Sequence, residues 1–383
     1  MSAILSEPFR RCWAEIDLNA LRHNVATLRE HAGPQAGMMA VVKANAYGHG
    51  VVELARELRY LVEMFAVASV AEALQLRRVT PDTPIIILGP ALPEEREALV
   101  RNGLIPVVSS LKEAQSYGSL YQRLNPKSTH GFDVHLKVDT GMGRIGVWHE
   151  EAVAVAQAIA ALPGVQLGGV ATHLPVADED EPWTLQELEN WKRVVAGLRA
   201  AGLDSVLVHS LNSAGTVLFR DEALAAGGRA MIRPGLLLYG SSPVASFQQR
   251  LRPVLAWKSR ITLLRDVPAG RGVSYGRTFV TPSAMRIATV CAGYADGYSR
   301  HLSGQGAEVL IGGRRCPMLG RVTMDQILVD VSAVPQAAVG DEVVLIGRQG
   351  EEEILATELA EKAGTIPWDI FTSISARVVR YYI

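Results

Sequence analysis

Short apolar runs rich in β-branched residues recur through roughly the first 240 positions: MMAVV (38–42), MFAV (64–67), PIIIL (84–88), LIPVV (104–108), FDVHLKV (132–138), VQLGGVAT (165–172), SVLVHS (205–210) and RAMIRP (229–234). Between most of them the apolar positions switch to three- and four-residue spacing, the period of an amphipathic helix. LNALRHNVATLREHAG (18–33) is the clearest case, with Asn19 read as its N-cap and Gly33 as its stop. TLQELENWKRVVAGLRAAG (184–202) is another. About eight strand–helix units follow one another, the number a (β/α)8 barrel needs. A doubly wound sheet would show the same periodicity, so the pattern leaves both open.

Past about residue 245 the pattern changes. PVLAWKSRITLLRDV, MRIATVCAGYADGY, AEVLIGGRRCPML, QILVDVS and DEVVLIGRQGEEEIL read as strands joined by glycine-containing turns, with ATELAEKAG the one clear helical stretch. The expectation is an α/β chain in two parts: a barrel over 1–245 and a mostly β domain over 246–383, divided within GSSPVASFQQRLRP.

In a barrel, chemistry collects where the strands end at their C-terminal tips, because those loops converge on one face. The polar residues fall there. Lys43 follows MAVV; Lys137 and Arg144 lie in HLKVDTGMGRIG; His173 follows GGVAT; Asn212 and Ser213 follow VLVHSL; Arg233, Pro234 and Gly235 follow RAMI. Each alone has an ordinary explanation, as a solvated lysine, a helix cap or a turn. Five tips contributing together, with two arginines and a histidine, favour an anionic, planar ligand.

Other readings weaken on inspection. GMGRIG (141–146) matches G-x-G-x-x-G after a strand, but the acidic residue a dinucleotide site wants about 20 positions on is missing, and an arginine sits inside the loop. The nine histidines are dispersed, and no H-E-x-x-H or C-x-x-C occurs. The acidic run DEDE (178–181), before Pro182, reads as a helix start favoured by the helix dipole. Lys plus Arg number 38 and Asp plus Glu 39, so the net charge of −1 gives no case for nucleic acid or an anionic membrane. Cys12, Cys291 and Cys316 are scattered, which fits a reduced, cytoplasmic setting. Neither a signal peptide nor an apolar membrane span is expected.

AVVKANAYGHG (40–50) resembles the cofactor-lysine signature of the alanine racemase family. The resemblance continues in order through HLKVDTGMGRIG, THLPVADED, LNSAG, IRPGLLLYG, GVSYGRTF, AGYADGY, GRVTMDQ and GTIPWDIFTSISARV. It implies a (β/α)8 barrel plus a β domain, pyridoxal 5'-phosphate bound covalently to Lys43, and racemisation of alanine in a homodimer that supplies D-alanine for peptidoglycan precursors. It further implies two bases, Lys43 on one face of the substrate Cα and Tyr275, from the partner subunit, on the other. A tyrosine ionises near pH 10, so it needs positive charge nearby, for which His173 and Arg233 are the implied source. By the same resemblance Arg233 faces the pyridine nitrogen. Arg144 contacts the cofactor and the substrate carboxylate, and the Met324 amide contacts that carboxylate from the partner. Tyr47, Asn212, Ser213, Gly235 and Leu236 hold the cofactor, and Lys137 corresponds to a lysine often carbamylated. No metal is implied.

The chain departs from the family at three places. Ala376, in ISARV, stands where a tyrosine is usual; Leu174 and Pro175 replace a common Phe-Ala; Thr323 replaces a common Cys. Loss of the tyrosine removes a hydrogen bond and makes the pocket roomier, which leaves serine or broader specificity as the alternative to alanine. A non-catalytic pyridoxal phosphate carrier is a more distant alternative, and it would have no use for a second base at Tyr275. A barrel-type decarboxylase lacks its substrate anchor here.

Overall fold

The computed structural model describes residues 10–383. The chain forms two compact units, one of residues 21–46 and 51–252, the other of residues 10–20, 47–50 and 253–383.

The first unit is a closed parallel barrel. Its eight strands, in order around the ring, are Ala36–Val41, Met64–Val67, Ile85–Ile87, Ile105–Val108, Phe132–Asp139, Val165–Ala171, Leu207–His209 and Arg229–Ile232, the last pairing back onto the first. Every one of the eight expected runs falls on a strand. Closure rests on the pairing of Ala230 with Ala36, Met231 with Gly37 and Ile232 with Met38. Strands covered on both faces read as unbroken apolar runs rather than alternating ones, and Met64–Val67, Ile85–Ile87 and Ile105–Val108 are buried at every position. Full burial of one such aliphatic side chain is worth about 1.5–3 kcal/mol.

The helices largely follow their caps. Leu18–Ala32 starts one residue before the expected cap: Asp17 Oδ1, not Asn19, accepts the Asn19 and Ala20 amides at 2.8 and 2.9 Å. Asn19 is therefore already helical, and the aspartate carries charge to the positive end of the helix. Asp180, inside DEDE, caps Glu181–Ala200 by accepting the Trp183 amide at 2.9 Å.

The second unit is built on one mostly antiparallel sheet with the order Glu352–Ile354, Glu342–Gln349, Glu308–Ile311, Arg314–Leu319, Ile327–Asp330, Met285–Val290, Leu255–Val267, Cys12–Ile16, Val379–Tyr382. Ile311 and Arg314 pair across a two-residue turn in which Gly312 and Gly313 both have positive φ, 59° and 75°, the conformation a tight hairpin demands. The division differs from a single break near residue 245. Cys12–Ile16 pairs antiparallel with Leu255–Val267 and parallel with Val379–Tyr382, so this strand belongs to the β unit. Residues 47–50 cluster there as well, and the later break falls between Arg252 and Pro253.

Candidate active site

In the barrel unit, Lys43 follows the Ala36–Val41 strand and opens a left-handed turn. Ala44, Asn45, Ala46 and Tyr47 have φ of 51°, 55°, 54° and 52°. Non-glycine residues give up about 1–2 kcal/mol each in this conformation, so other bonds must enforce it. Three do: the Ala44 amide donates to Glu72 Oε1 at 2.7 Å, the Ala46 amide donates to the Val42 carbonyl at 2.9 Å, and Asn45 Oδ1 accepts the Val51 amide at 2.9 Å. Burial, then the charge of Arg144, pulls the Lys43 amine below its ordinary value, while Glu72 acts the other way. Burial and Arg144 thus disfavour the ammonium form relative to a free lysine.

Arg144 sits in the loop after Phe132–Asp139, and one side chain holds that loop. Asp139 Oδ1 accepts the Gly141 and Gly143 amides at 2.9 and 3.1 Å, and Oδ2 accepts the Arg144 amide at 3.1 Å. These amides are consumed internally and offer nothing to a pyrophosphate, which disposes of the dinucleotide reading of GMGRIG. Lys137 is 7 % exposed. Burial, then Arg233 and Arg144, drive it well below the usual lysine value, against Asp139 and Glu187. Glu187 is itself buried, with neither carboxylate oxygen hydrogen-bonded among the described residues. Burial and the Asp139 charge push it up to about 7.

Arg233 anchors a chain of imidazoles. One terminal nitrogen donates to the Thr172 and Ser210 carbonyls at 2.7 and 3.1 Å and lies 3.4 Å from His173 Nδ1. The other donates to the His209 carbonyl and lies 3.0 Å from His209 Nδ1. His209 Nε2 lies 2.9 Å from His135 Nδ1. A guanidinium has only donors, so both ring nitrogens facing it accept. This assigns the proton to Nε2 in His173 and His209, and through the last bond to Nε2 in His135 as well. Neutral rings agree with the direction of all three: burial first, and the surrounding cations for His173 and His209, push them well below the usual histidine value, His135 to about 3. Burial and Arg144 lower Arg233 to about 10, which leaves it charged at neutral pH.

Asn212 caps Ser213–Leu218 by accepting the Gly215 amide at 2.9 Å, and donates to the Leu174 carbonyl at 2.9 Å. Ser213 Oγ accepts the Gly235 amide at 3.1 Å, and Leu236 opens the short turn that follows. The barrel thus gathers Lys43, Lys137, Arg144, His173, Asn212, Ser213 and Arg233 at or just past strand ends. Four of the seven are cations that depress one another or His173. Such a set suits anionic groups placed beside an amine whose ammonium form is disfavoured.

The β unit holds the remaining candidates. Tyr275 is 70 % exposed on a turn where Ser274, Gly276 and Arg277 all have positive φ; Ser274 Oγ donates to the Arg321 carbonyl at 2.6 Å. Met324 is exposed, on a turn fixed by the Tyr294 amide to the Thr323 carbonyl at 3.0 Å and the Ala295 amide to the Met324 carbonyl at 2.9 Å. Ala376 precedes Arg377, which pairs with Asp296 and Asp325 at 3.3 and 2.9 Å. Tyr47 is buried, and burial holds its hydroxyl well above the ordinary tyrosine value. Gly48 is required there: a Cβ would run into the Phe371 carbonyl.

Sequence reasoning missed Glu72, Asp139, Glu187, His135 and His209. Ser69 and Glu72 carry a legible capping pattern, S-x-x-E. His135 shares a strand face with Lys137, two positions on. Nothing local marks Glu187.

A closed parallel barrel with a strained lysine turn and a cationic set at its strand ends, carried on one chain with a β-rich unit, defines a class of two-part barrel enzymes. Residues 16–243 match the family description "Alanine racemase, N-terminal domain" and residues 254–382 match "Alanine racemase, C-terminal domain". The chain belongs to the alanine racemase family. It is 44% identical over 377 residues to an alanine racemase of Halothermothrix orenii, covering 97% of each chain. It superposes on an alanine racemase structure from Clostridium difficile with a TM-score of 0.88 at 35% identity, covering 98% of this chain and 97% of that one. A Bartonella henselae alanine racemase with covalently bound pyridoxal phosphate matches at TM-score 0.86 and 30% identity, covering 97% and 99%.

Proposed function

We propose that this protein is a pyridoxal-phosphate-dependent racemase that interconverts L- and D-alanine by two-base proton transfer. The observation that carries the reading is Lys43: an amine at a barrel-strand end, held in an enforced left-handed turn and lowered below the ordinary lysine value. The donor set fits the cofactor, because crowded cations call for phosphate and carboxylate groups and an amine whose ammonium form is disfavoured suits an aldehyde. Lys43, Tyr47, Arg144, His173, Asn212, Ser213, Arg233, Gly235 and Leu236 would hold it. When bound, it supplies an aldehyde and a conjugated ring that draws electron density from the substrate Cα.

The chain's own residues do the rest. Lys43 Nζ takes or returns the Cα proton on one face. Tyr275, contributed by a second copy, serves the other face, and its exposure in the single chain supports that assignment. His173 is the proton-bearing neighbour at Nε2 for the tyrosine oxygen. Arg233 keeps its proton and donates only a hydrogen bond toward the ring nitrogen, which restrains electron withdrawal and side reactions. Arg144 and the Met324 amide of the second copy bind the substrate carboxylate, and Lys137 with Asp139 places Arg144. The same reading makes the enzyme a cytoplasmic homodimer supplying D-alanine for peptidoglycan precursors; the unpaired state of all three cysteines supports a reducing setting. No helix among the described residues is long and apolar enough to cross a membrane.

The test is chiral chromatography of L-alanine and L-serine incubated separately with protein and pyridoxal phosphate. Conversion of alanine well ahead of serine is the expected result. Conversion of neither overturns the reading. Ala376 favours one second reading: serine turnover equal to or faster than alanine would make this a serine or broad-specificity racemase.

A further inference from the structure

We propose that Glu72 is a positioning residue for Lys43: its carboxylate ties the lysine turn to the end of the neighbouring strand and gives the amine a counter-charge. The inference deepens the reading of Lys43 as the reactive amine and rests on it. Glu72 Oε1 accepts the amide of Ala44, the residue directly after Lys43, at 2.7 Å. Glu72 Oε2 accepts the amide of Ala68 at 2.8 Å. Ala68 directly follows Met64–Val67, the barrel strand hydrogen-bonded beside Ala36–Val41.

The carboxylate is held from its own helix as well. Glu72 is the third residue of Val70–Arg77, and its amide donates to Ser69 Oγ at 3.3 Å. In an ordinary capping box the glutamate returns to the amide of the N-cap residue itself. Here both oxygens go elsewhere, to Ala68 and across to the adjacent strand's turn. That use makes sense at a turn of four consecutive left-handed, non-glycine residues, whose first amide Glu72 holds. The charged groups that face Lys43 are Arg144 and Glu72, and His173 senses its charge in turn. Burial and Arg144 both disfavour the ammonium form, and Glu72 opposes them. A neutral side chain at this position would leave burial and Arg144 unopposed and the turn untied.

The experiment uses the full chain, freed of any bound aldehyde with hydroxylamine. Acetylation of Lys43 by acetic anhydride is followed against pH by peptide mass spectrometry, with exposed Lys127 as internal reference. Amide exchange of the segment containing Ala44 is measured in parallel. In Glu72→Gln, Lys43 is expected to titrate at lower pH, so that below its midpoint it acetylates about three- to tenfold faster relative to Lys127, and the Ala44 segment exchanges faster. Glu72→Asp, which keeps the charge on a shorter arm, should loosen the Ala44 segment with a smaller change in titration. Ser69→Ala removes the helix cap but not the carboxylate, and should leave the Lys43 midpoint in place. If Glu72→Gln unfolds more easily but Lys43 titrates as in the parent, Glu72 is only a helix cap and the proposal fails. Unchanged exchange at Ala44 also overturns it. Failure of the underlying reading would be seen separately, as borohydride fixing no pyridoxal phosphate to Lys43 of the parent protein.

Discussion

Replacing Asp139 by asparagine should release the loop that carries Arg144 without disturbing the barrel beneath it. The Asp139 carboxylate is 5 % exposed and accepts three backbone amides, from Gly141, Gly143 and Arg144, at 2.9–3.1 Å. Bonds to a charged group contribute about 1.5–3 kcal/mol, neutral ones about 0.5–1.5 kcal/mol. Asparagine keeps one acceptor oxygen, so the two bonds at Oδ1 drop to neutral strength, about 1 kcal/mol each. Its amide group then faces the Arg144 N–H donor to donor, which costs about 2 kcal/mol more. Gly143 and Arg144 are exposed and can turn to water, so roughly half of that total survives, about 2 kcal/mol. A change of this size is about 30-fold in an opening equilibrium. Amide exchange of the 140–146 segment should therefore quicken about 30-fold. If Arg144 binds the substrate carboxylate, KM for alanine should rise by a comparable factor while kcat changes less. Exchange that stays slow would refute the reasoning about the carboxylate; fast exchange with an unchanged KM would refute the role given to Arg144.

The remaining predictions are direct. Lys43→Ala should lose borohydride-fixable pyridoxal phosphate, seen by intact mass, together with all racemisation. Tyr275→Phe should keep the cofactor but slow racemisation at least about 100-fold, the scale of a lost general acid–base, while one enantiomer still exchanges its Cα proton with deuterated solvent; normal racemisation by this variant would sink the two-base assignment. Ala376→Tyr should shift the ratio of alanine to serine kcat/KM toward alanine by about tenfold, the order a small pocket change produces. Stability should fall as pH drops below about 6.5, because His135 is buried neutral and lowered to about 3. Between those values the unfolded chain binds the proton that the folded chain refuses, so stability rises with pH. In urea titrations across this range His135→Gln should reduce the slope by about one proton, or ~1.4 kcal/mol per pH unit; an unchanged slope would mean the ring is not buried neutral.

Much of this protein was legible along the chain. Strand runs are local facts about apolar sequence, and all eight barrel strands lie where those runs lie. The β-rich second half follows from alternation and paired glycines, as at Gly312 and Gly313. The strand-end residues Lys43, Lys137, Arg144, His173, Asn212 and Arg233 were visible because in a parallel barrel the position after a strand is also a position in space. Where capping side chains crowd together, local reading slipped by two residues: Asn19 and Asp17 both suit the cap, and only the observed bonds choose between them.

What the sequence could not decide are the relations that close at long range. Periodicity left a barrel and a doubly wound sheet open, and the choice lies in the pairing of the last strand with the first, Ala230, Met231 and Ile232 against Ala36, Gly37 and Met38. The strand Cys12–Ile16 reads like any other strand, yet its partners lie some 240 and 365 positions along the chain, at Leu255–Val267 and Val379–Tyr382. Lys137 is opposed by Asp139 on its own strand and then by Glu187 on a helix some 50 positions on, and Arg233 takes its imidazoles from two other strand ends. Hydrogen bonding and burial act over a few ångströms of space, whatever the separation in sequence. Local propensity and turn chemistry thus determined the elements and their order; which buried charge faces which, and so what each side chain can do, was settled when the barrel closed.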